Sequence, residues 1–271
     1  MTTIRFDEAD SWMALVESAL EDPETYGARL RAADIEQAYW DCSGLDDVFP
    51  EDELRGILAR IEASLAGHSL QLYHGCRLYD GHDPRKSGMQ PSSCAGIADS
   101  LLALAAADPV LKDHVEAIKA TLARREYREQ VWTRDGQIWF CITKKEMLED
   151  GGVYIAFGSE FRLLILNGIG DGLAHRLFHY GKPAIVVFDL PFDPFLTKFK
   201  DVAAKFLFSL WIHHRISLDD INKPRGFACW IKQEVPAQHV VDVIRADRVY
   251  DHYNTLCRWY AWDEIDLARD A

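Results

Sequence analysis

The sequence lacks several patterns that would identify a class of function directly. Its six cysteines are widely scattered and form no C-x-x-C pair, so the sequence predicts neither a redox couple nor a zinc knuckle. It contains no apolar run of about 18 residues and no G-x-S-x-G nucleophile elbow. The N-terminus, residues 1–10, has no apolar stretch of the kind that a secretory signal needs. We therefore expect a cytoplasmic protein without a membrane partner.

Basic residues are also few. The chain has 30 Lys and Arg against 43 Asp and Glu, for a formal net charge of -13. This balance argues against a broad surface for the phosphate backbone of a nucleic acid. The 271 residues are 48% hydrophobic, which is enough for a substantial core, and they contain no internal repeat or low-complexity linker.

The first part of the chain predicts helices followed by a buried strand. Residues 1–67 have helical patterns, including a helix that begins near Pro50, carries acids in its first turn and ends by Gly67. Within the stretch from Leu70 to Arg77, the sequence predicts a buried strand that ends on the step His74-Gly75. The basic residues after it predict an irregular loop over 77–91 that could hold a small anion.

The remaining patterns alternate between helix and strand. Predicted helices cover two stretches of 93–125 divided at Ala107-Asp108-Pro109, a segment from the cap Ser159 to 166, and the segments 195–213 and 249–267. Predicted strands cover 130–143, as a hairpin around Asp135-Gly136, and the segments 153–157, 183–190 and 227–232. The order predicts an α+β fold with helical additions.

Three of these segments carry a resemblance to a known family. His74-Gly75 on one strand, Gly152-Val153-Tyr154 on a later one and Ser159 shortly afterwards resemble the His-Tyr-Glu branch of the ADP-ribosyltransferase superfamily. The third signature of that branch, an acid ahead of a Val-Pro step, has a partial counterpart in Glu234. The family places this acid several residues earlier, where the chain has Phe227, Ala228 and Cys229. The resemblance covers about residues 70–244.

The resemblance implies a fold, a substrate and an activity. It implies an ADP-ribosyltransferase-like split β-sheet in a domain 68–271, with a helical insertion near 93–128 and an N-terminal helical segment 1–67. The implied activity is NAD-dependent mono-ADP-ribosyl transfer to an acceptor macromolecule that the sequence does not identify, without a metal. Toxins, phage-defence effectors and phage-encoded modifiers are the usual roles of such proteins.

The resemblance also implies roles for individual residues. His74 would hydrogen-bond a ribose hydroxyl of NAD, and the Gly75 backbone would hold the nicotinamide amide. Tyr154, on a strand next to that of His74, would stack on the nicotinamide ring, with Ser159 and Phe161 beside it. Glu234 would be the catalytic carboxylate, with Glu160 and Asp189 as the next candidates. The pyrophosphate would bind to Arg77, Arg85 and Lys86.

Alternatives to a transferase stay open. The missing acid favours a catalytically inactive NAD-binding or protein-interaction module on the same fold. A second alternative is an unrelated interaction protein whose partner docks on the aromatic-rich helix between Phe195 and Trp211. His175 and His179 are four residues apart and could form one edge of a metal site, but the sequence identifies no third ligand.

Overall fold

The computed structural model of the protein describes residues 2–33, 42, 45, 48–79, 81–124, 135–216, 228–251 and 257–267. It combines helices with open β-sheets, so the fold belongs to the α+β class. Within the described residues, no helix has the length and apolar character needed to cross a membrane.

Eleven α-helical segments lie in the described part of the chain. They are α1 (Met13–Ala19), α2 (Pro23–Ala32), α3 (Glu51–Ser64), α4 (Pro84–Ser87), α5 (Cys94–Ala107), α6 (Val115–Leu122), α7 (Lys144–Glu149), α8 (Gly152–Phe157), α9 (Glu160–Asn167), α10 (Lys200–Arg215) and α11 (Trp262–Ile265). Short 3₁₀ or π turns cover Ala9–Ser11, Leu111–His114, Leu173–His179, Phe192–Leu196, Thr197–Phe199 and Ala237–His239.

The described strands form one four-stranded sheet and two small ones. They are β1 (Thr3–Ile4), β2 (Ser69–Leu78), β3 (Ile138–Phe140), β4 (Lys182–Pro191), β5 (Cys229–Ile231), β6 (Val240–Ile244), β7 (Arg248–Asp251) and β8 (Arg258–Ala261). The larger sheet has the order β1-β2-β4-β6, and β3-β5 and β7-β8 form two-stranded sheets. Strand β1 is parallel to β2, whereas β6 is antiparallel to β4 and meets it with a bulge between Val187 and Phe188.

The chain divides into two compact units. One consists of Met1–Leu72 and Asp189–Cys229, and the other of Tyr73–Phe188 and Trp230–Ala271. The segment 189–229 therefore belongs with the N-terminal residues, although the sequence pattern placed it in a domain 68–271. The chain passes from one unit to the other within β2, near the end of β4 and within β5.

Aromatic side chains form much of the core of the first unit. Helix α10 packs on α1, α2 and α3, and it is apolar on nearly every side. The rings of Phe6 and Phe206 meet edge to face at 4.9 Å, and Phe208 stacks on Trp211 at 5.7 Å. Since these aromatic residues of α10 are buried, the helix does not present the docking surface that the sequence suggested.

The second unit is built around the apolar half of β4. Ala184 to Phe188 are all buried, as the continuous apolar run predicted. Helices α5, α6, α8 and α9 and the two-stranded sheet β7-β8 contribute to the rest of this core. The predicted division of 93–125 into two helices at Asp108 is confirmed, because α5 ends at Ala107.

Two segments differ from the predicted secondary structure. The stretch 153–157 is not a strand but part of helix α8, which ends at the left-handed Gly158. A Cβ at Gly152 would collide with the backbone carbonyl of Tyr250, so the helix requires glycine there. The segment 249–267 is not one helix, since its described residues form β7, β8 and the short α11.

The predicted hairpin over 130–143 lies partly outside the described residues. In the described part, β3 covers only Ile138–Phe140, and its strand partner is β5. The predicted loop over 77–91 is also wrong at its start. Strand β2 continues through Arg77 to Leu78, and α4 then occupies Pro84–Ser87.

Candidate functional site

His74 lies on β2 with its ring oriented by a neighbouring strand. The imidazole Nδ1 is 2.7 Å from the carbonyl oxygen of Trp139 on β3. Because a carbonyl can only accept, Nδ1 carries the proton and Nε2 remains an acceptor. Burial lowers the pKa of His74, and the hydrogen bond to the Trp139 carbonyl opposes that shift only in part. The ring is therefore neutral near pH 7.

Strands β2 and β3 separate immediately beside His74. Tyr73 exchanges both of its backbone hydrogen bonds with Cys141, at 2.9 Å each. This pair is an isolated bridge, after which β3 pairs with β5. Backbone groups of residues two apart on a strand point to the same edge, so the N–H and C=O of Gly75 face the edge where the strands separate.

Gly75 also allows helix α8 to pack directly on β2. A Cβ at this position would lie 2.7 Å from both Met147 Cε and Ile155 Cγ1, which is closer than carbon atoms approach. Ile155 follows Tyr154 on α8, so two of the predicted site segments are neighbours in the fold. Tyr154 nevertheless lies on a helix, and the prediction that it lies on a strand beside that of His74 is wrong.

The residues around Tyr154 form a small polar group. The Tyr154 hydroxyl donates to Glu160 Oε2 at 3.0 Å. Ser159 caps α9, as predicted, because its Oγ accepts the Phe161 N–H at 3.2 Å. Phe161 is half-buried against the core cluster of the second unit. Glu160 is thus a carboxylate held next to Tyr154 in the first turn of a helix.

Arg77 is not an exposed phosphate ligand. It is 5% exposed, and its guanidinium donates to the carbonyl oxygens of five residues at 2.7–2.9 Å. These residues are Ala156, Phe178, Tyr180, Gly181 and Ile265. Burial lowers the pKa of Arg77 to about 10, so the side chain stays charged at neutral pH. It ties four segments of the chain together.

The other two predicted cations lie on α4. Arg85 Nε is 3.1 Å from Asp83 Oδ1, and Lys86 Nζ is 3.9 Å from Asp83 Oδ2. Both cations are exposed, and the carboxylate that caps α4 partly neutralises them. No contact in the described residues links them to His74.

The predicted catalytic acid is on the surface. Glu234 is exposed, and its carboxylate accepts a hydrogen bond from Gln90 at 2.7 Å. Asp189 accepts from Thr3 at 2.9 Å and from Gln71 at 3.2 Å, which gives it a structural role in the first unit. Of the three candidate carboxylates, Glu160 has the direct link to another predicted site residue.

Two further polar clusters could not be predicted from the sequence. Asp108 is fully buried and accepts from Arg176 and Tyr180 at 2.8–3.3 Å. The second cluster centres on Arg162, which lines a pocket with three serines. A capping Asp108 and a serine pair before a helix were visible in the sequence, but nothing in it pairs them with Arg176 or Arg162.

His175 belongs to an aromatic cluster. Its Nε2 lies 3.0 Å from the Tyr260 hydroxyl, and its ring meets Phe157 and Phe178 edge to face. Among the described residues, no group of three or more His, Cys, Asp or Glu side chains is arranged to hold a metal ion.

Comparison with known proteins adds no evidence to the geometry of the site. No protein-family model, curated protein or solved structure matches the chain.

Proposed function

We propose that this protein is an NAD-dependent mono-ADP-ribosyltransferase whose nicotinamide site lies where β2 and β3 separate. The observation that carries the proposal is the hydrogen bond of 2.7 Å between His74 Nδ1 and Trp139 O at that point. It orients an imidazole that burial keeps neutral, and it leaves Nε2 as an acceptor beside the point where the two strands separate. A split sheet with His-Gly on one of its strands is the arrangement that the family resemblance implies.

The chemistry of the residues fits the two polar parts of nicotinamide riboside. Nε2 of His74 would accept a hydrogen bond from a ribose hydroxyl, which requires the neutral ring. The N–H and C=O of Gly75 would pair with the C=O and NH₂ of the nicotinamide amide. Tyr154 would supply an aromatic wall from α8, which packs on β2 at Gly75.

We propose Glu160, in place of Glu234, as the carboxylate of the reaction. The bond between C1′ of the ribose and the nicotinamide nitrogen breaks, and nicotinamide leaves with the electron pair. Positive charge then develops on the ribose until the acceptor nucleophile bonds to C1′ and loses its proton. A fixed carboxylate stabilises that charge. Glu160 is fixed by Tyr154, whereas the partner of Glu234 is the amide of Gln90 on the exposed surface.

A second candidate function is an inactive module that binds NAD without turnover. One observation favours it. Strand β5, which pairs with the β3 segment that orients His74, contains Cys229, Trp230 and Ile231 and therefore no carboxylate. In this account His74 and Gly75 bind the nucleotide and no group promotes cleavage.

Labelled NAD separates the two functions. The purified protein is incubated with NAD labelled in its adenylate part and with a cell lysate, and the label is followed on macromolecules and in free ADP-ribose. Transfer to a macromolecule that His74→Ala weakens at limiting NAD and His214→Ala preserves supports the transferase. His214 is an exposed residue of α10 in the other unit, which makes it the matched control. Bound but uncleaved NAD would support the inactive module.

A further inference from the structure

Arg162 is a buried cation with few partners. It lies on α9 and is 8% exposed. Its guanidinium donates to Ser100 Oγ at 2.6 Å and to the Tyr79 hydroxyl, and its Nε has no hydrogen-bond partner. Among the described residues, no carboxylate lies within ion-pair distance of it. Buried charges in proteins are ordinarily paired, so a bound anion would supply the charge partner that Arg162 does not find among these residues.

A second guanidinium adds to the local positive charge. Burial is the main cause of the lowered pKa of Arg77. The nearby charge of Arg162 lowers this pKa further, and the carboxylate of Asp266 opposes the shift. The two arginines differ in how their donors are used. Carbonyl oxygens surround Arg77, whereas Arg162 has two hydroxyl partners for its five N–H groups.

Arg162 lines a pocket of about 220 Å³. The volume equals that of about seven water molecules at roughly 30 Å³ each, which is enough for a phosphate group with a small substituent. The other walls are Ser92, Ser93, Gly96, Ile97 and Ser100, around the first two turns of the 14-residue helix α5. The lining is thus one cation, three hydroxyl groups, one glycine and one apolar side chain.

The hydroxyl groups are arranged for an acceptor-rich ligand. Ser93 Oγ accepts the Gly96 N–H at 2.9 Å, so its own O–H remains a donor. Ser100 links Arg162 to helix α5, because its hydroxyl accepts a hydrogen bond from Arg162 and donates one to the carbonyl of Ile97 at 2.8 Å.

The end of helix α5 does not make the site by itself. Its Cys94 N–H is already bonded to Asp135 Oδ1 at 2.7 Å, and its Gly96 N–H is bonded to Ser93. Asp135 also brings a negative charge to that terminus. The anchor is therefore the buried guanidinium, with the serine hydroxyls as secondary donors.

We propose that this pocket binds the phosphate group of a small ligand, with Arg162 as the charged contact and Ser92 and Ser93 as hydroxyl donors. Phosphate matches the planar, multidentate donor pattern of arginine better than a monodentate anion does. The inference goes beyond NAD-dependent transfer and does not rest on it, because its test uses phosphate without NAD.

The test is titration calorimetry of the full chain with inorganic phosphate, against chloride at matched ionic strength. We expect a dissociation constant on the order of 1 mM or lower. Ser92→Glu places a negative charge in the pocket at an exposed position and should weaken phosphate binding about tenfold. Ser18→Glu, at an exposed position of α1, is the control and should leave binding unchanged.

Arg162→Lys provides a second variant that keeps the charge and removes the planar donor set. We expect it to weaken phosphate binding while circular dichroism shows an unchanged fold. If phosphate gives no more heat than chloride, or binds Ser92→Glu as tightly as the wild type, the proposal is wrong.

Two ligands identify the source of the phosphate. ADP-ribose and glycerol 3-phosphate are each added to the protein at a fixed phosphate concentration. Displacement of phosphate by ADP-ribose supports the pocket as a pyrophosphate site, and displacement by glycerol 3-phosphate alone supports it as a phosphomonoester site. Failure of both to displace phosphate contradicts a site for the phosphate group of a small ligand.

Discussion

The Nδ1 atom of His74 lies 2.7 Å from the carbonyl oxygen of Trp139, and this hydrogen bond joins β2 to β3 next to the isolated backbone bridge between Tyr73 and Cys141. The bond requires Nδ1 to be protonated and leaves Nε2 as an acceptor. A structural role and a ligand-binding role for His74 thus depend on the same tautomer.

The first prediction concerns the pH dependence of stability. Because the pKa of His74 is lowered in the folded state, the unfolded chain binds its proton first as the pH falls. The stabilisation is complete above the ordinary histidine pKa of about 6.5 and is lost as the pH falls through the folded-state pKa. His74→Asn keeps an N–H donor for Trp139 and does not titrate. Its free energy of unfolding should therefore fall less than that of the wild type between about pH 7.5 and 5.5.

Urea denaturation at several pH values checks this prediction, because every other histidine is common to both proteins. Parallel pH profiles for the wild type and the variant would show that the imidazole is equally accessible to protons in both states.

The second prediction concerns Arg77 as a structural cation. Arg77→Met removes the donors to five carbonyl groups and should lower the free energy of unfolding by roughly 3–5 kcal/mol, the cost of breaking a buried charged network. Arg85→Met, at an exposed position, should change it by about 0.5 kcal/mol or less. Thermal and urea denaturation measure both. A similar small loss in the two variants would mean that the carbonyl contacts of Arg77 are replaced by water.

The third prediction concerns the buried carboxylate of Asp108. Burial alone would raise its pKa, but hydrogen bonds from Arg176, Tyr180 and two backbone N–H groups outweigh burial and lower it. Its stabilising effect is therefore present above the ordinary aspartate pKa and is lost as the pH falls through the lower folded-state value. Asp108→Asn should cost roughly 3 kcal/mol at neutral pH.

The exposed Asp113 provides the control for this measurement. Asp113→Asn should leave the unfolding curve near that of the wild type, while Asp108→Asn should show a weaker loss of stability below about pH 4. An acid-unfolding profile of Asp108→Asn that is as steep as that of the wild type would contradict a lowered pKa of Asp108 in the folded state.

The fourth prediction separates the two candidate carboxylates of the transfer reaction. Glu160→Gln should reduce turnover of NAD by about a hundred- to a thousandfold, because the charge is needed as the ribosyl cation develops. Binding of NAD should stay nearly unchanged. Glu234→Gln, at the exposed position, should keep turnover within about twofold of the wild type. The opposite order of effects would return the role to Glu234, and equal full activity would remove both.

The elements that could be predicted are those with an extended apolar pattern or a clear capping residue. Helices α3 and α5, the cap Ser159 and the buried strand β4 all follow from apolar spacing, capping residues or a continuous apolar run. Helix α8 could not be predicted in this way. A six-residue apolar run has no distinct period, and the close approach of the Tyr250 backbone to Gly152 comes from a segment far away in sequence.

The candidate site was harder to predict than the fold. The sequence pointed to His74 and Ser159. Ser159 caps a helix as predicted, whereas His74 lies in the interior of its strand and not at the predicted strand end. The sequence could not show that Arg77 is buried among carbonyl groups, since these come from three distant segments. For the same reason it did not show Arg162 beside the serines of α5. Such contacts depend on tertiary packing, which local residue patterns do not encode.

Titration calorimetry with NAD tests the central claim most directly. The account predicts that the wild-type chain binds NAD. His74→Ala should bind about three- to tenfold more weakly, the loss expected for one hydrogen bond to a ribose hydroxyl. His214→Ala should match the wild type, and circular dichroism should show that both variants are folded. Absence of NAD binding to the folded wild-type protein would contradict the account.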